Sequence, residues 1–188
     1  MSTRTPAEQP EEWTPDTKDW TWVLEHPCPE CGAEVSALTP QDVAARIRDC
    51  LPAWRHLLLE RHDDAAALRA RPAGNVWSPL EYAAHVRDVF RIMHYRLDLM
   101  LREDSPTFPD WDQDATAAED GYNEQAPQTV AIQLASAGRG LADAFDSVLA
   151  RDVERTGYRS NGSTFTVRTL AQYAWHDIAH HLHDLKVS

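Results

Sequence analysis

Several familiar signatures are missing from this chain. Only seven of its 188 residues are glycine. None of them builds a Gly-rich phosphate loop or a nucleophile elbow. Lys and Arg together number 18 against 30 Asp and Glu, a formal charge of −12. Without a basic excess or an aromatic–basic stripe, nucleic acid and anionic membrane surfaces are excluded as expected partners. No apolar run is long enough to span a bilayer, and the stretch Met1 to Glu12 is polar, unlike a signal peptide. Three cysteines, an odd number, do not make a disulfide framework. A reducing, cytoplasmic location is therefore expected.

Hydrophobic residues make up 43% of the chain, enough for a core. Alanine and leucine dominate the periodic stretches, which favours helix over sheet. Residues 1–18, rich in Pro, Glu and Thr, are expected to be a disordered tail. Residues 19–38 form an extension with Trp20, Trp22 and the run His26-Pro27-Cys28-Pro29-Glu30-Cys31-Gly32, expected to dock on the main body of residues 39–188. Thr39-Pro40-x-Asp42 and Ser78-Pro79-x-Glu81 both read as helix starts, the second as a capping box. The first helix is predicted over about residues 40–69, kinked or divided at Pro52. The second is predicted over 79–102, with Tyr82, Val86, Val89, Phe90, Met93, Leu97 and Met100 as its apolar stripe. Residues 103–114 read as a loop and 116–124 as a short helix. A longer helix is predicted over 127–150, facing Val130, Leu134, Leu141, Phe145 and Leu149 inward. Residues 155–167 read as an irregular or hairpin-like connection, and a last helix is predicted over 168–185. Four long helices without convincing strand pairs point to an all-α bundle.

The informative side chains are histidines. His176 and His180 are four apart, one turn above each other on the last helix. Two imidazoles so spaced can reach one ion, since zinc–nitrogen bonds are about 2.0–2.1 Å. His85 lies early in the second long helix. Three imidazoles from two helices would leave a coordination position open for water or substrate. The helical wheel alone leaves His176 and His180 either in solvent or turned to a cleft. His181, about 100° round the helix from His180 and near the apolar stripe, is expected to stay out of the ligand set. Glu81, Asp88 and Asp184 are candidates to steady the imidazoles, and Tyr82 and Tyr173 to donate protons. Cys28 and Cys31 have the C-x2-C spacing of a zinc half-site. A structural zinc, an unmetallated thiol pair and a redox pair are all open readings. His26 or a histidine of the main body could complete such a site.

Trp77-Ser78-Pro79-x-Glu81-Tyr82-x-x-His85 and His176-x3-His180, in that order, resemble the DinB/YfiT-like family. That family also includes low-molecular-weight-thiol S-transferases and the metal-binding domain of mycothiol-dependent maleylpyruvate isomerase. The resemblance covers about residues 40–186. It implies a four-helix bundle that binds a divalent metal, usually through three histidines, and places His85, His176 and His180 at the ligand positions. It implies a metal-dependent enzyme that activates a thiol cofactor such as mycothiol or bacillithiol. A hydrolase in which the metal activates water, and a non-catalytic metal-binding or sensing protein, are the alternatives. Three imidazoles accept zinc, nickel, iron or copper alike, with zinc or nickel the foremost choices. The expected partner is a small-molecule substrate, and a homodimer is left open.

Overall fold

The computed structural model describes residues 20–60 and 65–186. The proposed disordered tail lies outside the described residues. Six α-helices are present among them: α1 (Pro40–Leu59), α2 (Ala65–Arg69), α3 (Pro79–Arg102), α4 (Gln113–Glu119), α5 (Pro127–Asp146) and α6 (Val167–Asp184). The long helices α1, α3, α5 and α6 form the bundle.

Local chemistry sets the helix starts. Thr39 and Ser78 cap α1 and α3 in complete capping boxes, each followed by proline at the first helical position. Thr166 caps α6 in the same way with Thr169. Helix α1 continues past Pro52, which is exposed, so the lost amide bond falls on the solvent side. The chain instead breaks after Leu59, and residues 65–69 form a separate short helix rather than the end of one long one.

Helix α3 is the centre of the fold. Leu80, Val86, Val89, Phe90, Leu97 and Met100 are each fully buried or nearly so, as are Val43, Ile47 and Trp54 of α1 and Leu134, Leu141 and Phe145 of α5. Leu149 lies beyond the end of α5 and is 48% exposed rather than inward-facing. Gly138 lets α5 approach α1 and α3 closely, because a Cβ there would lie 2.6 Å from Leu51 Cδ2 and 3.0 Å from Phe90 Cε2.

A small sheet departs from the all-α expectation. β1 (Thr107–Phe108) pairs in parallel with β2 (Thr156–Arg159), and β2 pairs antiparallel with β3 (Thr164–Thr166). The hairpin β2–β3 occupies the connection read as hairpin-like, whereas β1 lies in the stretch read as loop. Two residues carry no detectable alternation, and their partner is far along the chain.

The extension docks on α6. Trp20–Leu24 is a 3-10 turn. The rings of Trp20 and His180 lie 5.1 Å apart, and Val23, Cys28, Val35 and Leu38 are buried. Gln172 of α6 donates from its amide to the carbonyls of Ser36 and Leu38, both at 3.0 Å. The face of α6 that looks polar on a wheel is thus covered by this segment: Gln172, His176 and His180 are all buried.

Candidate metal centre

Helix α6 carries two pairs at i,i+4 spacing, His176/His180 and Asp177/His181. Each pair lies on one face, and the two faces are about 100° apart. The structure therefore does not bring His85, His176 and His180 to one point. It brings together His85, Asp177 and His181 as one group, and Cys28, Cys31, His176 and His180 as another, with the ligand atoms of each group within 4.8 Å of one another. His181, expected to stay out, faces His85. Asp177 was missed altogether, although it repeats the four-residue spacing of the histidine pair.

In the first group Asp177 is central. Its Oδ1 lies 3.3 Å from His85 Nε2 and 3.3 Å from His181 Nε2. On the far side of His181, Nδ1 lies 3.2 Å from Asp184 Oδ2. That carboxylate–imidazole contact is the kind that fixes the tautomer of a metal ligand. His85 is fully buried on α3, stacked on Trp111 at 5.1 Å and tilted against Trp77 at 5.1 Å. Its Nδ1 has no hydrogen-bond partner among the described residues.

Electrostatics follow from this packing. Burial holds His85 below the usual imidazole range, with Asp177 opposing. This favours the neutral imidazole, the form that can ligate a metal. Burial also disfavours charge on His181, but the hydrogen bonds it donates to Asp177 and Asp184 outweigh it and push the pKa up to about 9. Asp177 is driven well below the carboxylate range: burial opposes ionisation, and the contacts with His181 and His85 overcome it. A protonated His181 supplies the positive charge beside Asp177, and a metal ion bound there would take the place of that proton. Two imidazoles and a carboxylate suit a divalent ion chemically, and His85, Asp177 and His181 are the residues that would hold one.

Asp177 and His181 line a cleft of about 510 Å3, with Trp20, Trp77, Tyr82 and Tyr173 among the other lining residues. Of the residues expected to steady the imidazoles, only Asp184 does so, and it serves His181. Its distance to His180 Nε2 is 3.8 Å. Glu81 caps Ser78 and pairs with Arg71. Asp88 pairs with Arg87 and Arg91 and accepts from Tyr122.

The second group is organised by the extension. Cys28 N–H donates to the carbonyl of Ala33, and Gly32 N–H to that of Cys28. The tight turn puts Gly32 at φ +71°, where a side chain would be strained. Cys28 Sγ lies 3.7 Å from His180 Nδ1. Burial lowers the His176 pKa to about 4, aided by neighbouring His180, and His176 Nε2 is buried with no hydrogen-bond partner among the described residues.

Among the described residues no helix is long and apolar enough to cross a membrane. The search of curated proteins finds no match. Among solved structures, the chain resembles YfiT from Bacillus subtilis, described as a probable metal-dependent hydrolase with an unusual four-helix bundle topology. The TM-score is 0.67 at 18% identity, covering 78% of this chain and 84% of that one. The sequence profile of the DinB superfamily matches residues 52–185, most of the chain. The chain belongs to the DinB superfamily, and its fold is the four-helix bundle of that group.

Proposed function

We propose that the protein is a metal-dependent enzyme, with His85, Asp177 and His181 as the ligands of one divalent ion. The observation that carries this reading is a His–Asp–His group whose His85 is buried and whose half-buried Asp177 and His181 line a cleft of about 510 Å3. A divalent ion held there supplies positive charge that lowers the pKa of a nucleophile brought to it. The residues around it bind and orient. Tyr82, pushed up to about 12 by burial, and Tyr173, also raised by burial, stay protonated at neutral pH. Both line the cleft and can donate hydrogen bonds to a substrate oxygen. Glu30, Asp114, Asp177 and Asp184 line it, with no Lys or Arg among the described residues. This lining favours neutral or cationic ligands over multiply anionic ones.

The favoured nucleophile is a low-molecular-weight thiol. The cleft volume supports this, since it falls within the range of pockets that enclose drug-sized ligands, roughly 300–1,000 Å3. Water is the second reading, favoured by the description of YfiT as a probable hydrolase. The test is a panel of electrophiles presented with mycothiol, bacillithiol, glutathione or water alone, before and after chelation. Thiol-dependent turnover that disappears with the chelator and in His85→Ala supports the proposal. Turnover with water alone favours the hydrolase. Undiminished turnover after metal removal overturns both.

A further inference from the structure

We propose that Cys28, Cys31, His176 and His180 form a four-ligand structural zinc site that clips the N-terminal extension onto α6. The site is separate from the His85 group and does not depend on any catalytic role.

Three observations carry it. The first is the donor set. Two sulfurs on a tight Cys-x2-Cys turn and two imidazoles on one helix face have ligand atoms within 4.8 Å of one another. Zinc bonds of about 2.3 Å to sulfur and 2.0–2.1 Å to nitrogen put tetrahedral ligand atoms roughly 3.3–3.8 Å apart. The separation of Cys28 Sγ and His180 Nδ1, 3.7 Å, lies in that range. The second is an unsatisfied atom. His176 is 3% exposed, and its Nε2 has no hydrogen-bond partner among the described residues. A buried imidazole nitrogen left unpaired is costly, and a ligated ion would satisfy it. The third is the outer shell. His180 Nε2, the nitrogen turned away from the sulfur, lies 3.5 Å from Glu30 Oε2, a carboxylate contact typical of zinc-bound imidazole. Trp20 covers both rings, at 5.5 Å from His176 and 5.1 Å from His180.

The segment needs such a clip. Over residues 20–38 the only regular element is the turn Trp20–Leu24, and the buried side chains are few: Val23, Cys28, Val35 and Leu38. Ordering a chain with so little core is the usual task of a structural metal. Four protein ligands fill a tetrahedral zinc, so this site holds no open position and performs no chemistry. Its effect on the neighbouring centre is positional. His176 and His180 are bonded in sequence to Asp177 and His181, so the clip fixes the rotation of α6 that presents the latter pair to His85.

The test is cobalt substitution of the full-length protein, read by optical spectroscopy alongside zinc content. The wild type and His85→Ala should both show a thiolate-to-cobalt charge-transfer band and the intense visible bands of tetrahedral cobalt. Cys28→Ser/Cys31→Ser should lose the charge-transfer band and one equivalent of zinc. His176→Ala should weaken the tetrahedral bands. In the intact wild type, titration with an organomercurial should release one zinc equivalent as the two thiols react, a readout that requires no variant to fold. Absence of the charge-transfer band in the wild type, or zinc content unaffected by the mercurial, would overturn the site. So would isolation under reducing conditions with Cys28 and Cys31 as a disulfide. Loss of metal from His85→Ala with the band retained would concern only the enzymatic centre.

Discussion

Asp88→Ala should be among the most damaging single changes outside the metal centre. Asp88 is 7% exposed, and its carboxylate holds three partners. Arg87 binds it in a fork, Nε to Oδ1 at 3.0 Å and Nη2 to Oδ2 at 2.6 Å. Arg91 Nη1 donates to Oδ1 at 2.9 Å and Tyr122 Oη to Oδ2 at 2.7 Å. Removing the carboxylate leaves the Arg87 guanidinium, 3% exposed, with the amide oxygens of Gln125 and Gln133 as its hydrogen-bond acceptors among the described residues. Breaking a buried charge pair from one side costs about 3–5 kcal/mol. At about 2–4 °C per kcal/mol for a domain of this size, Tm should fall by roughly 6–20 °C. Tyr122 also touches Trp77, which packs on His85, so the damage should reach the site. Thermal and urea unfolding followed by circular dichroism measure the effect, and a cycle with Tyr122→Phe should be non-additive because the two share a bond. The pH dependence has a definite sign. Burial opposes ionisation of Asp88, but its hydrogen bonds hold the pKa below the usual carboxylate value. Its contribution is therefore full above the unfolded value of about 3.9 and lost as pH falls through the folded one. Asp88→Ala should flatten that part of the acid limb. A Tm loss under about 2 °C, or an unchanged acid limb, would refute the reasoning.

Other substitutions probe the frame around the site. Gly157→Ala should destabilise by about 1–3 kcal/mol through overpacking, since its Cβ would fall 2.7 Å from Met100 Cγ and 2.8 Å from Phe108 Cε1; an unchanged urea midpoint would mean the hairpin is free to shift. Gln172→Ala strips the carbonyls of Ser36 and Leu38 of their donor, and at about 1 kcal/mol per bond should cost about 2 kcal/mol. Limited proteolysis should then cut the extension faster than in the wild type, and equal rates would show that these bonds do not hold it.

The helix starts were legible because capping is local: Thr39, Ser78 and their partners three residues on carry the whole signal. The start of α3 was placed correctly for the same reason, with Pro79 opening it. The division of the histidines was not legible. A wheel shows that Gln172, His176 and His180 share a face but not what covers it, and the covering segment lies more than 130 residues away in sequence. Reading that face as solvent or open cleft left open which histidine of the main body lies beside Cys28 and Cys31, and made the more apolar-looking His181 seem the odd one out. Asp177 escaped notice because a lone helical aspartate reads as a solvated charge until His85 is seen opposite it. Strand β1 could not be read from two residues.

The most direct measurement is anomalous diffraction from crystals of the purified full-length protein, collected at the absorption edge of the metal it retains. A peak within bonding distance of His85, Asp177 and His181, on the side facing the cleft, is the result expected. A peak shared by His85, His176 and His180, or no peak beside His85 in metal-replete crystals, would contradict the assignment of the centre.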